Sequence, residues 1–118
     1  MSSEVWRMHG LGNSFVVLWA ESELAAKISD RAAKILDEHF GVGSDGLMVV
    51  GPGNNGHDFS VWMTNPDGSN MGMCGNGIRC VARYLAKTGR VSSDRKNIKF
   101  EVSGRTIVCD LLHSAALV

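Results

Sequence analysis

The sequence carries no excess charge of either sign. Twelve Lys and Arg residues balance twelve Asp and Glu, for a formal net charge of zero. That balance gives no electrostatic reason to expect nucleic acid or an anionic membrane surface as a partner. No apolar run approaches the ~20 residues of a membrane span, and Met1-Ser2-Ser3-Glu4 does not make a basic secretory n-region. The cytoplasm is therefore the expected compartment. Cysteine pairing is also missing: Cys74, Cys80 and Cys109 form an odd set with no C-x-x-C spacing. A disulfide framework and a structural zinc site both lose their usual signature. His9, His39, His57 and His113 are scattered without an H-x-x-x-H pair, so no metal site is expected.

Glycine is what the chain has in excess, with 14 in 118 residues against an ordinary usage of about 7%. The glycines gather at 10–12, 41–46, 51–56 and 68–77. Such clustering marks several tight loops rather than one flexible linker. Hydrophobic residues make up 44% and charged residues 20%, the composition of a globular chain with an apolar core. A single domain over residues 1–118 is the expected organisation, and neither an internal repeat nor a linker interrupts it.

Periodicity predicts short strands at Val5–Met8 and Ser14–Trp19 around the loop His9-Gly10-Leu11-Gly12-Asn13. Ser29 is a plausible N-cap for a helix to about Phe40, with Ala32, Ile35, Leu36 and Phe40 on one face. Leu47–Val50 reads as a buried strand, and Asp58–Thr64 as a strand entering the turn Asn65-Pro66-Asp67-Gly68. Proline second and glycine fourth suit a type I turn with a bulged exit. A second helix is expected from about Asn76 to Thr88, capped by Gly89, with Ile78, Val81, Ala82 and Leu85 as its apolar stripe. A hairpin closes the pattern: Ile98, Phe100 and Val102 alternate with polar residues, then Thr106–Leu112 follows the Ser103-Gly104-Arg105 turn. The fold class predicted is α+β, a mostly antiparallel sheet with helices.

The segment Met73-Cys74-Gly75-Asn76-Gly77-Ile78-Arg79-Cys80 carries the chemistry. Cys74 falls at the N-terminus of the second predicted helix, where free N–H groups and the helix dipole favour negative charge. Thiolate is the form that acts as base or nucleophile. Gly75 and Gly77 remove side chains, so a small anion could reach the backbone amides of residues 75–78. Alternatively, Cys74 is a small buried residue and the glycines only make a tight strand-to-helix turn. Cys80 reads as core or flank, and Cys109 as an inward-facing core residue on the last strand.

Four blocks, taken in order, resemble one family. They are His9-Gly10-Leu11-Gly12-Asn13, Gly41-Val42-Gly43-Ser44-Asp45-Gly46, Asn65-Pro66-Asp67-Gly68-Ser69 and Cys74-Gly75-Asn76-Gly77-Ile78-Arg79-Cys80. Together they look like the N-terminal half of a diaminopimelate epimerase and cover about residues 5–112. The resemblance implies one half of a pseudo-symmetric fold, each half a sheet wrapped around a central helix, with the active site between the halves. It further implies that Cys74 is one of two catalytic cysteines acting as base or acid on the substrate α-carbon. Gly75 and Asn76 would bind the α-carboxylate through backbone amides, and Asn13 and Asn65 would hydrogen-bond the amino-acid substrate, mainly at its distal end. No cofactor is implied. The implied reaction interconverts LL- and meso-2,6-diaminopimelate, a step toward lysine and peptidoglycan.

The sequence departs from that pattern in places. Ser14 stands where aspartate is common, Pro66 stands where alanine is common, and Gly46 stands where some members carry a substrate-binding glutamine. Relative to the pattern, the second half with its own cysteine motif is absent. The second thiol is then expected from that C-terminal half or from a second copy of the chain in a homodimer. Three other functions fit the same residues. They are an epimerase or racemase of this fold acting on another amino acid, a non-catalytic half-enzyme serving binding or assembly, and a thiol redox protein. The lack of a C-x-x-C pair argues against the last.

Overall fold

The structure is a computed structural model and describes residues 5–10, 13–21, 24, 27, 28, 31, 34, 45–71, 75–92 and 94–110. Six strands form one sheet in chain order: β1 (Val5–Gly10), β2 (Asn13–Trp19), β3 (Gly46–Pro52), β4 (Phe59–Thr64), β5 (Asn97–Val102) and β6 (Arg105–Asp110). Helix α1 (Gly75–Lys87) lies between β4 and β5 in sequence. β1–β2, β3–β4 and β5–β6 pair antiparallel, whereas β2–β3 and β4–β5 pair parallel. Each parallel junction needs a crossover long enough to return the chain to the same end. Residues 20–45 and residues 65–96 supply those crossovers, the second of them containing α1.

Strict alternation puts Met8, Phe15, Val17, Met48, Val50, Val61, Met63, Ile98, Phe100 and Val102 on one face. Those residues pack with Ile78, Val81, Ala82, Tyr84 and Leu85 of α1 in one core. The predicted helical stripe of Ile78, Val81, Ala82 and Leu85 is buried as expected. Burial also takes in Cys80 and Tyr84, because α1 touches β1, β2, β3 and β6. The sheet therefore curls far enough that both of its edge strands reach the helix. On the opposite face, Val16, Leu18, Ala20, Leu47 and Val49 form a second cluster, with Ile28 and Trp62 against it.

Helix α1 ends as glycine chemistry dictates. Gly89 takes φ 78°, its N–H donates to Ala86 O, and Arg90 N–H donates to Leu85 O at 3.0 Å. This double bond is a Schellman cap. At the other hairpin, Ser103 and Gly104 both take positive φ, which gives the tight two-residue turn that the strand twist favours.

Several boundaries differ from the sequence reading. β1 and β2 run on to pair Gly10 with Asn13, so most of the predicted loop is strand. Leu24, Lys27 and Ile28 are helical upstream of Ser29, Arg31 is in a turn, and Lys34 is helical within the expected helix. Ser29, Ala32, Ile35, Leu36 and Phe40 themselves lie outside the described residues. Cys109 is only half-buried rather than a core residue, because β6 is an edge strand. Burial, with Asp110 adding and Arg79 opposing, raises its thiol pKa above the ordinary 9.0.

Candidate active site

Register brings Asn13, Gly46, Asn65 and the start of α1 to one end of the sheet. Asn13 opens β2, and two residues later Phe15 pairs with Gly46 at the start of β3. Leu47 pairs with Thr64, the last residue of β4, so Asn65 leaves the sheet beside Gly46. Helix α1 starts over the same end. A Cβ added at Gly77 would lie 2.7 Å from Met48 Cε and 3.5 Å from Met63 Cε, and Met48 pairs with Met63 one step inside that end. Asn13, Gly46, Asn65 and the first turn of α1 thus surround one rim, although they span more than sixty residues of sequence.

Aspartates tie this rim together. Asp45 Oδ2 accepts a hydrogen bond from the Ser14 N–H at 2.6 Å, and Asp45 N–H donates back to Ser14 O at 2.6 Å. This exchange carries the β2–β3 ladder one step past its last residue pair and fixes the backbone that follows Asn13. Ser14 Oγ is buried and takes no partner among the described residues. In the turn, Gly68 N–H donates to Asn65 O at 2.9 Å, Asn65 N–H donates to Ser69 O at 2.8 Å, and Gly68 takes φ 93°. That is the expected turn with its bulged exit, and Pro66 fits it by fixing φ at the second position. Beyond the turn, Asn70 bridges to Thr64, and Met71 N–H donates to Met63 O. Met71 then closes over Gly46, where an added Cβ would meet the Met71 methyl and lie 2.9 Å from Thr64 O. The space a side chain at position 46 would take is thus filled by Met71.

Each expected site residue has a definite standing. Gly75 is the first residue of α1 and is exposed, and a Cβ there would meet no atom within 4 Å. Asn76 follows it in the helix, and Asn13 begins β2; their side chains lie outside the described part. Cys74 also lies outside the described residues. Asn65 is half-buried in the turn, and its Nδ2 donates to Ser69 Oγ at 3.0 Å. The first turn of α1 contains no acidic side chain, so no carboxylate within that turn offsets the positive end of the helix dipole. Among the described residues, no three His, Cys, Asp or Glu side chains group to hold a metal ion. No described helix is long and apolar enough to cross a membrane.

Asp45, Asp67 and Ser69 lie within the blocks described above, where the motif pattern assigns them no role. The available signal was local. An aspartate two residues before a serine, in a Pro-x-Gly turn, commonly accepts from that serine's N–H.

The sequence model described as diaminopimelate epimerase matches residues 5–116. The chain belongs to the diaminopimelate epimerase family. It is 37% identical over 113 residues to the diaminopimelate epimerase of Nostoc punctiforme, covering 95% of this chain and 40% of that protein. It is 42% identical over 108 residues to the diaminopimelate epimerase of Pelotomaculum thermopropionicum, covering 90% of this chain and 38% of that one. The chain therefore spans about two fifths of the length of these family members. Among solved structures, the Bacillus anthracis phenazine biosynthesis protein of the PhzF family superposes with a TM-score of 0.68 at 17% identity. That match covers 93% of this chain and 36% of that one. A methylitaconate-delta-isomerase superposes with a TM-score of 0.60 at 14% identity, covering 88% and 32%. At these identities the two structures share the fold of the epimerase family, a sheet curled around one helix.

Proposed function

We propose that this chain supplies one half of a cofactor-independent diaminopimelate epimerase site, with Cys74 as the thiol that serves one face of the substrate α-carbon. The observation that carries this reading is the rim itself. The start of β2 at Asn13, the start of β3 at Gly46, the Asn65 turn and the start of α1 lie at one end of the sheet, and Cys74 immediately precedes the first residue of α1. The substrate α-carboxylate docks on the Gly75 and Asn76 N–H groups, and Asn13 and Asn65 hold the distal amino-acid end. Open space above Gly75 supports that placement, since nothing described in the fold itself fills it.

Removing an α-proton from an amino acid leaves negative charge that spreads into the carboxylate. N–H groups already aimed at the carboxylate stabilise that charge without reorganising. The positive end of a helix favours the thiolate form of an adjacent thiol, the form that acts as base. A thiolate takes the α-proton, becomes a thiol, and returns a proton to the same face. Inversion needs a second thiol on the opposite face, brought by the C-terminal half of a longer polypeptide or by a second copy of the chain.

The test is α-carbon exchange in D₂O with 2,6-diaminopimelate, followed by NMR and chiral analysis. The chain alone should exchange the α-proton with retention, and Cys74→Ala should slow exchange by about a hundredfold or more. Exchange that is absent in the wild-type chain, or that persists unchanged in Cys74→Ala, overturns the reading.

A further inference from the structure

Asn65 is tied to the rim through a short relay whose polarity can be worked out from one end. Asp67 Oδ1 accepts from Ser69 Oγ at 2.6 Å and from Ser69 N–H at 2.9 Å. The Asp67 carboxyl is held below the ordinary carboxylate range, chiefly by the Ser69 hydroxyl and then by the Ser69 N–H. It is therefore ionised at neutral pH and can only accept. Ser69 has a single hydroxyl hydrogen, and Asp67 takes it. The remaining contact of Ser69 Oγ, 3.0 Å from the Asn65 amide, must then be one in which serine accepts and asparagine donates. A side-chain amide is planar with its two ends about 120° apart. With Nδ2 engaged by Ser69, the carbonyl oxygen is the end of the amide left for another group. Asn65 Oδ1 has no partner among the described residues.

We propose that Asp67 and Ser69 are positioning residues that lock the Asn65 amide with its carbonyl oxygen toward the ligand, so that Asn65 accepts from an ammonium nitrogen of the substrate. The ligand half rests on the function proposed above; the positioning half does not. An amide free to flip would meet an ammonium or a carboxylate equally well, offering oxygen to one and nitrogen to the other. Locked in this sense it discriminates between them, because a carboxylate brought to the free oxygen meets like partial charge. The relay thus makes a neutral side chain selective for one end of a zwitterion. It does so without a charged residue that would also bind the thiolate or the helix N-terminus.

Two measurements test it. The first follows hydrogen exchange of the Asn65 side-chain amide by NMR in the wild-type chain, Ser69→Ala, Ser69→Thr and Asp67→Ala. Exchange of the Ser69-bound hydrogen should quicken in Ser69→Ala and Asp67→Ala and return toward wild type in Ser69→Thr. Equal exchange in all four overturns the positioning role. The second compares binding of 2,6-diaminopimelate with that of 2-aminopimelate, which lacks the distal ammonium. The wild-type chain should prefer diaminopimelate, and Ser69→Ala should cut that preference by about tenfold, as expected for one hydrogen bond to a charged group. A purely structural turn would weaken both ligands together and leave the ratio unchanged, which overturns the ligand half. A wild-type chain that binds neither probe overturns that half and the proposed function together, and the exchange measurement still decides the positioning half.

Discussion

At the end of the sheet away from the helix N-terminus, Arg95 pairs with Asp58 at 2.6 Å, and Arg90 stacks 4.3 Å from the centre of the Trp19 ring. At the rim that holds the helix N-terminus, Asp45 and Asp67 accept only from backbone N–H and hydroxyl groups among the described residues. The far end spends its cations on its own anions and aromatic rings and so closes on itself. The rim uses its acidic groups to hold the backbone after Asn13 and the Asn65 turn, and leaves Gly75 exposed. A zwitterionic ligand suits neutral donors and acceptors such as the Asn65 amide and the N–H groups at the start of α1, which lie at the same rim. The glycines at the rim also differ among themselves: Gly77 is crowded and Gly75 is not.

The largest effect expected from breaking this contrast is at Gly77. Its added Cβ would press on Met48 Cε at 2.7 Å and Met48 Sδ at 3.3 Å. Alanine is tolerated, because the methionine methyl can swing aside and helix propensity improves. Valine brings two further methyl groups against Met48 and Met63 and leaves no such escape. Gly77→Val should destabilise the chain by about 1–3 kcal/mol, measured by urea unfolding, whereas Gly77→Ala should fall within about 1 kcal/mol of wild type. Equal tolerance of both would mean that the helix is not pressed on β3 and β4 as described.

That crowding was invisible in the sequence, and the reason is general for this fold. The apolar periods of β3, β4 and α1 were legible because each follows from local alternation or from a 3.6-residue repeat. The turn at Asn65 and the cap at Gly89 were legible because proline and glycine state their own dihedral angles. Which strands lie parallel was not legible, since it depends on where two long crossovers return. The same limit hid Tyr84, which is enclosed because the sheet curls until both edges reach the helix, whereas Cys80, read as core or flank, is core. Cys109 failed in the opposite direction, since a strand pattern cannot tell an edge from an interior position. At the candidate site, the motif residues were legible as blocks. The work of Asp45, Asp67 and Ser69 appeared only once their partners were placed.

A middle-sized effect is expected at the far end. Asp58 accepts from Lys99 N–H at 2.8 Å and from Arg95 at 2.6 Å. Its carboxyl is lowered from the ordinary 3.8, first by the Lys99 N–H and further by Arg95, with burial opposing. A lowered folded-state pKa means that the stabilisation is complete above the unfolded value. It is lost as pH falls through the folded one, so the window lies below about pH 4. The pair is partly exposed, at 40% and 31%, which limits its worth to about 1 kcal/mol at low salt. Asp58→Asn should therefore cost about that much at neutral pH, and less in 1 M salt. The gap from wild type should close as both are taken below pH 4. A cost that is independent of both salt and acid would show that the far end is held by hydrogen bonds alone and would erase the contrast drawn between the two ends.

The smallest effect on stability, and the most telling for function, is expected at Gly75. Nothing in the fold as described requires glycine there. It starts a regular helix, its φ is not positive, and an added Cβ would meet no atom within 4 Å. Alanine should then be accepted and should stabilise the chain by up to about 1 kcal/mol, through helix propensity and a less flexible unfolded state. Several of the described glycines would respond in the opposite sense, Gly68, Gly89 and Gly104 because of positive φ, Gly46 and Gly51 because of close backbone oxygens. If the space above Gly75 is reserved for a carboxylate resting on the helix N–H groups, the new methyl group occupies it. Gly75→Ala should then weaken binding of 2,6-diaminopimelate by about tenfold, the loss of one charge-assisted contact, while thermal unfolding moves upward. Opposite signs in the two measurements would identify a glycine kept for a ligand against the interest of the fold. A variant that gains stability and binds as well as wild type would remove the carboxylate from that helix end, leaving Gly75 with neither a structural nor a binding reason to be glycine.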